Sequence, residues 1–387
     1  MRKISDTIAR LAALHARQNA GMETFGASTR LQPTQGFGSN PGALKAYQYV
    51  PSDVGDNAPL VVVLHGCTQT AAGYDHHSGW SQLADEEGFA VLFPEQQRQN
   101  NPNLCFNWFQ PQDFRPGTGE ALSIHQMIET MVETHKLDAK RVFITGLSAG
   151  GAMTAAMLSN YPETFAGGAV IAGLPYASAK TVPEAFDRMR GHGGPSVPEL
   201  QKALRSASDH QGPWPAISIW QGTADRTVAP SNAEAIAEQW KGVHAVDPSP
   251  ARKITNDRLT KHEWLNSAGD VVIEINMITG MDHGTPIAAG LGAPGPYMLD
   301  VGISSTRAIA QFWEISKADG DAVKSRHQEL ATIPSETRNI TLDHAKTRRE
   351  SPKAHPSKDG DPAHSASGTS GVKQIIEDAL RAAGLMR

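Results

Sequence analysis

The chain has little cysteine, no long apolar run and no cluster of positive charge, and each shortage excludes a class of protein. Two cysteines, Cys67 and Cys105, are too few for a disulfide scaffold and are wrongly spaced for a four-ligand zinc site. No stretch approaches the roughly 18 consecutive apolar residues that a membrane-spanning helix needs. The net charge is −5, with no dense Lys/Arg stripe in the apolar part, which argues against a nucleic-acid partner.

The N-terminus also lacks the uninterrupted apolar run of a signal peptide, because Arg10, His15 and Arg17 interrupt it. On this evidence we expect a cytoplasmic protein. The chain has 387 residues, of which 39% are hydrophobic, so it is not disordered as a whole and can bury a sizeable core.

From residue 41 to 316, short apolar runs alternate with longer amphipathic stretches, a pattern typical of buried parallel strands joined by helices. It predicts an α/β fold with a mostly parallel central sheet and helices on both faces. The predicted strands are 59–64, 88–93, 141–146, 168–172, 216–220 and 271–278. The predicted helical connections lie near 77–86, 118–135, 149–160 and 231–240.

Four segments depart from this alternation. Residues 1–40 are predicted to be a leader and linker with a short amphipathic helix. Residues 177–215, rich in Gly, Pro, Ser and Arg, form either a cap over a site or a surface loop with a short helix. Residues 317–371 contain no Phe, Trp or Tyr, which predicts a flexible, disordered tail. Residues 372–387 recover helical periodicity and predict a short amphipathic helix.

The pentapeptide Gly-Leu-Ser-Ala-Gly at 146–150 matches the G-x-S-x-G nucleophile elbow. In this motif a sharp strand-to-helix turn presents a serine hydroxyl. The match alone is weak, since short motifs occur by chance. Its context supports it, because a buried strand is predicted before it and an Ala/Met/Leu-rich helix after it. Ser148 is therefore the candidate nucleophile.

A nucleophilic serine needs a histidine to take its proton and a carboxylate to orient that histidine. In this architecture both follow the serine in the chain, on loops after later strands. Asp225 follows the predicted strand 216–220, and His283 follows 271–278. His262 and His244 are competing bases, but both precede the last strand. Asp282 is a weaker acid candidate, because adjacent side chains diverge.

The reaction also needs two amides that bind the oxyanion. One is the amide of Ala149, directly after the nucleophile. The other is expected after strand 59–64, where the amide of Cys67 is the candidate and His65 is interpreted as a structural loop residue. Cys67 and Cys105 either form a disulfide that closes a loop of about 39 residues or stay reduced in a cytosolic setting. A catalytic thiol at Cys67 is the sharper but less favoured alternative.

Five segments in this order carry a family resemblance: LHGCTQT, FPEQ with CFNWF, GLSAGG, WQGTADRTV and GMDHGTP. Together they resemble the poly(3-hydroxybutyrate) depolymerase family of esterases, which has the α/β-hydrolase fold and is related to feruloyl and acetylxylan esterases. The resemblance spans about residues 41–315. Because this family has secreted members, an extracellular location is the alternative to a cytoplasmic one.

The resemblance implies roles that agree with those inferred from the residues, and it adds a disulfide. The implied site is Ser148 as nucleophile, Asp225 and His283 as its partners, the Cys67 and Ala149 amides as oxyanion hole, and a Cys67–Cys105 bridge.

We therefore expect a serine esterase that hydrolyses poly- or oligo(3-hydroxybutyrate) or similar short-chain esters, with no metal or organic cofactor. The aromatic run 106–109 is a candidate for an apolar wall of the substrate site, with Asn107 and Trp108 as candidate substrate-binding residues. The alternatives are a feruloyl or acetylxylan-type esterase, an acyltransferase with the same triad, and a polyester granule-binding protein that docks through residues 372–387. The substrate is the expected partner, and the sequence leaves the oligomeric state open.

Overall fold

The computed structural model describes residues 30–316. The predicted leader helix, the tail 317–371 and the terminal helix 372–387 lie outside the described residues. Twelve strands occur in the described part, and each is given by its bounds: β1 Gln32–Thr34, β2 Lys45–Tyr49, β3 Leu60–Leu64, β4 Ala90–Glu95, β5 Val142–Leu147, β6 Gly167–Ile171, β7 Ala216–Gly222, β8 Arg252–Asn256, β9 Leu259–Leu265, β10 Val271–Ile278, β11 Thr285–Ile287 and β12 Met298–Asp300.

Ten of these strands form one sheet, in the order β1-β2-β4-β3-β5-β6-β7-β10-β9-β8. The six central strands, from β4 to β10, run parallel, and they are the six that the sequence predicts. The outer strands pair antiparallel on both sides. Since the central strands are parallel, their carboxyl ends meet at one edge of the sheet, where α/β folds place their sites.

Helices cover both faces of the sheet. Alternate residues of β3 enter two separate cores, because side chains along a strand point to opposite faces. Val62 packs with the helices on one face, and Val61 packs with those on the other. The helices of the described part are α1 Ala71–Ser78, α2 Trp80–Glu87, α3 Pro111–Phe114, α4 Gly119–His135, α5 Ala149–Asn160, α6 Val182–Met189, α7 Val197–Arg205, α8 Ser231–His244 and α9 Ser305–Phe312.

Two differences between the structure and the sequence-based expectation have a local physical reason. The single helix expected at 77–86 is two helices, α1 and α2, because Gly79 between them has φ 76°, a left-handed conformation that ends a helix. Residues 32–34, expected to be part of a linker, form strand β1 and pair with β2. This pairing needs no apolar pattern, because a short edge strand is held by backbone hydrogen bonds.

The segment 177–215 contains helices α6 and α7. Leu200 and Leu204 of α7 are buried, and Gln201 donates a hydrogen bond from Nε2 to the carbonyl oxygen of Glu238 in α8. The segment is therefore docked on α8, and a capping role for it stays a prediction. None of the helices between residues 30 and 316 is long and apolar enough to cross a membrane.

Candidate active site

Ser148 lies in the sharp turn between β5 and α5. Its φ of 57° and ψ of −116° are strained for a serine, and such strain concentrates at functional sites. The turn requires small neighbours: a Cβ on Gly146 would lie 2.5 Å from backbone atoms of Gly150, and one on Gly150 would lie 2.4 Å from the Leu64 carbonyl oxygen. The Ser148 amide donates to the carbonyl oxygen of Ile171, the last residue of β6.

Asp225 and His283 lie on the loops after β7 and β10, which are neighbouring parallel strands. The Nδ1 atom of His283 and Oδ2 of Asp225 are 2.7 Å apart, and both side chains are buried. The other carboxylate oxygen of Asp225 accepts hydrogen bonds from the amides of Thr227 and Val228, each at 2.8 Å. The carboxylate is therefore fixed from the backbone while it orients the imidazole.

The three candidate triad residues follow three parallel strands at one sheet edge. The structure joins Asp225 to His283, whereas the Ser148 hydroxyl makes no hydrogen bond to another group in residues 30–316. Such bonds are often long before substrate binds. Asp282 has a different contact, since its Oδ1 accepts from the amide of His283 at 2.8 Å.

The two candidate oxyanion amides lie on adjoining segments. The close approach of Gly150 to the end of β3 brings the start of α5 against the loop that contains Cys67. The amides on either side of Cys67 are engaged, with Gly66 donating to Gln69 and Thr68 donating to the carbonyl oxygen of Asn103. Within residues 30–316, the amide of Cys67 has no protein acceptor, so it is available to a substrate oxygen.

A disulfide joins Cys67 to Cys105, so the described part of the chain has no free cysteine. It fastens the loop 65–70, which we call the candidate oxyanion loop, to the segment that contains Asn107 and Trp108. Because disulfide sulfurs cannot act as a thiol nucleophile, this arrangement disfavours a catalytic role for Cys67.

Asn107 and Trp108 are both buried. Asn107 donates from Nδ2 to Glu120, and its Oδ1 accepts from Asn101, so the side chain is engaged within the protein. The ring of Trp108 packs edge-on against Phe109, with centroids 5.5 Å apart. Phe109 is half-buried, and the expectation of a substrate wall in this segment stays a prediction.

His65, after β3, has both ring nitrogens occupied by backbone groups. Its Nε2 accepts from the amide of Gln96 at 3.1 Å, and Nδ1 lies 2.8 Å from the carbonyl oxygen of Gly66. Burial lowers the pKa of His65 to about 4, so the ring is neutral. Since Nε2 accepts, the single ring proton is on Nδ1, which donates it to the Gly66 carbonyl oxygen. His65 is thus a buried loop histidine rather than a base.

The sequence did not single out Tyr297, which lies beside His283. The two rings are 6.0 Å apart in an edge-on arrangement, and Tyr297 has φ 62°, unusual for a bulky residue. The preceding residue, Pro296, accepts a hydrogen bond from Gln69 of the candidate oxyanion loop. Tyr297 therefore lies on the segment that links the base to the oxyanion loop, a proximity that only the folded chain reveals.

The competing histidines lie apart from the Asp225 contact. His244 ends α8 and stacks on Trp240, and its burial lowers its pKa to about 4. His262 lies within β9, opposite Ile275 of β10. Neither histidine follows the carboxyl end of a central strand.

Comparison with known proteins identifies the family of the chain. Residues 44–261 match the model of the family described as esterase PHB depolymerase, PHB being poly(3-hydroxybutyrate). The chain belongs to this family. It is 44% identical over 295 residues to poly(3-hydroxyalkanoate) depolymerase C of Paucimonas lemoignei, a match that covers 74% of this chain and 70% of the relative.

A second group of relatives consists of fungal acetylxylan esterases. The probable acetylxylan esterase A of Aspergillus clavatus is 30% identical over 283 residues, covering 71% of this chain and 90% of the relative. The solved acetyl xylan esterase from Aspergillus awamori shares the fold, with a TM-score of 0.64 at 24% identity over 74% of this chain and 99% of that one. The PHB depolymerase-family chain thus has the α/β-hydrolase fold and is a carboxylic ester hydrolase.

Proposed function

We propose that this esterase hydrolyses the ester bonds of poly- or oligo(3-hydroxybutyrate) through an acyl-enzyme on Ser148. The observation that carries the proposal is the buried hydrogen bond between Asp225 and His283, at the sheet edge where the strained turn at Ser148 lies. A serine, a histidine and an orienting carboxylate at one edge are the groups that acyl transfer needs.

The chemistry has two stages. In the first, His283 takes the Ser148 proton as Oγ bonds to the ester carbonyl carbon, and the imidazolium then gives this proton to the departing alcohol. In the second, water attacks the acyl-enzyme with the same proton relay, which releases the acid and restores Ser148. Asp225 stabilises the charged imidazole and holds its tautomer throughout.

Each stage passes through a tetrahedral oxyanion. The amides of Cys67 and Ala149 are the proposed donors, since both are backbone groups without an acceptor elsewhere in residues 30–316. Donors that are already oriented towards the developing charge need no reorganisation during the reaction. No step requires a group other than the chain, the ester and water.

The substrate class is proposed from the relatives and the local surface. Identity to the Paucimonas lemoignei depolymerase is 44%, against 30% for the Aspergillus clavatus acetylxylan esterase. The half-buried ring of Tyr297, beside His283, offers apolar surface near the site, which suits a short alkyl chain better than a sugar ring with many hydroxyls. Acetylated xylan is the second candidate substrate.

One experiment tests both the mechanism and the substrate. Wild type and Ser148→Ala are compared for release of p-nitrophenol from p-nitrophenyl acetate and butyrate, of hydroxybutyrate from amorphous polymer, and of acetate from acetylated xylan. We expect wild type to cleave the butyrate ester and the polymer, and the variant to be inactive on all substrates. Equal activity of the two proteins would refute the role of Ser148 as nucleophile. Release of acetate from acetylated xylan with no cleavage of the polymer would refute the polyester as the substrate.

Acyl transfer is tested in the same assay with added methanol. A hydrolase converts the ester mainly to acid, whereas a transferase gives mainly methyl ester. We expect acid to predominate, because Thr68, next to Cys67, is exposed, so water can reach the candidate oxyanion loop.

A further inference from the structure

The carboxyl group of Glu120 has no part in the proposed chemistry, yet it is completely buried in the first turn of α4. It accepts three hydrogen bonds: from the amide of Asn107 and from Nδ2 of the same residue, each at 2.8 Å, and from Nε2 of Gln96 at 2.5 Å. No Lys or Arg in residues 30–316 pairs with it. A carboxyl group buried without a cation depends on such donors.

Gln96 connects Glu120 to the candidate oxyanion loop through its side chain. Its Nε2 donates to the carbonyl oxygen of Cys105 at 3.1 Å as well as to Glu120. Cys105 is joined covalently to Cys67 by the disulfide. The position of Cys67 therefore depends on a carbonyl group that Gln96 holds.

A second route runs through the backbone of Gln96. Its amide donates to Nε2 of His65, and Nδ1 of His65 donates to the carbonyl oxygen of Gly66. This carbonyl and the amide of Cys67 belong to the same planar trans peptide, so fixing the carbonyl also fixes the direction of the N–H group. Both routes meet at the peptide that joins Gly66 to Cys67.

We propose that Glu120 is a positioning residue for the esterase reaction: by holding Gln96, it orients the Gly66–Cys67 peptide so that the Cys67 amide binds the oxyanion. This inference rests on the proposed function. Glu120 touches no reacting atom, and its effect is transmitted through Gln96, His65 and Cys105. Because the oxyanion forms only in the transition state, loss of Glu120 lowers kcat and leaves KM nearly unchanged.

Glu120→Gln tests the proposal at constant side-chain volume. Both carboxyl oxygens of Glu120 accept hydrogen bonds, so the new amide nitrogen faces a donor of Asn107 or Gln96, and these contacts must shift. The two proteins are compared at about pH 9, above the pKa of about 8 of Glu120, where the wild-type carboxylate only accepts. We expect kcat for p-nitrophenyl acetate to fall by about 10- to 100-fold, the range for a slightly misplaced oxyanion donor. We expect the inhibition constant of phenylboronic acid, which forms a tetrahedral adduct with serine, to rise in parallel.

Glu274→Gln is the matched control. Glu274 is a buried glutamate of β10 that accepts hydrogen bonds from Ser218 and Asn276 and, unlike Glu120, pairs with a cation, Lys261. It has no contact with the candidate oxyanion loop. We expect this variant to lower Tm while kcat and the boronate constant stay at wild-type values. A purely structural role for Glu120 would produce the same pattern in Glu120→Gln.

A second variant keeps the test decisive if Glu120→Gln folds poorly. Gln96→Met has a similar volume and removes the side-chain bonds to both Glu120 and Cys105, so we expect the same loss of kcat. Folded variants with wild-type kcat and boronate inhibition would overturn the proposal. Failure of the esterase mechanism itself looks different, since wild type would then be inactive or Ser148→Ala fully active.

Discussion

Two aspartates stand close to His283, and they serve different parts of it. Asp225 bonds to the ring at Nδ1, whereas Asp282 bonds to the backbone amide. Only the first contact can set the tautomer that leaves Nε2 free to accept the serine proton. Sequence proximity therefore points to an aspartate that does not contact the ring, whereas the order of strands points to the one that does.

Asp225→Asn should lower kcat by about 10³- to 10⁴-fold, because an amide cannot stabilise the imidazolium and favours the wrong tautomer. The measurement is kcat for p-nitrophenyl butyrate, with circular dichroism to check folding. Asp282→Asn is the matched control, and we expect it to retain most of the activity because its Oδ1 can still accept the backbone bond. Similar losses in both variants would contradict the assignment of the acid.

At the scale of the elements, the disulfide between Cys67 and Cys105 is the covalent cross-link that constrains the described part of the chain. The disulfide spans a sequence separation of 38 residues and encloses α1, α2 and β4. In the chain-entropy model a loop of this length contributes about 4 kcal/mol by restricting the unfolded state. It also links the candidate oxyanion loop to the buried segment at Asn107.

Replacing both cysteines by serine should therefore lower the free energy of unfolding by about 2–4 kcal/mol and reduce kcat more than KM. Denaturant unfolding and p-nitrophenyl acetate kinetics measure the two effects. Dithiothreitol should reproduce the result in wild type and leave the double variant unchanged. If reductant affects both proteins equally, the disulfide is not the cause.

The elements also show what the sequence can predict. The six parallel strands are predominantly apolar and are recognised from that pattern. The family and fold expectations are confirmed by the comparisons. The antiparallel edges were missed because their pattern is weak: every residue of β8 is exposed, and β1 has only three residues.

The same limit applies to the candidate site. Ser148, Asp225 and His283 could be proposed because each follows a recognisable strand. Glu120 and Tyr297 could not, because their importance arises from contacts with residues that are distant in sequence, on other elements of the fold.

Across the whole molecule, buried histidines lower the stability of the fold in acid, whereas a buried glutamate lowers it as the pH rises. Burial lowers the pKa of His65 and His244 to about 4, so their neutral forms favour folding, and this contribution is lost as the pH falls below about 6.5. Burial and the nearby Asp113 raise the pKa of Glu120 to about 8. Its folded form prefers the neutral acid, so stability falls as the pH rises from about 4.5 through 8.

The stability advantage of wild type over Glu120→Gln should therefore be largest below about pH 4.5 and shrink as the pH rises to about 8, because only the glutamate must ionise inside the protein. Denaturant unfolding across this range measures it. His244→Gln is the control for the acid side: we expect it to flatten the loss of stability below about pH 6 and to leave the alkaline loss intact. The hydrogen bonds from Asn107 and Gln96 favour the carboxylate and therefore oppose the rise in the pKa of Glu120. If the difference in unfolding free energy between wild type and Glu120→Gln does not change with pH, these donors outweigh burial and Glu120 is ionised throughout the range.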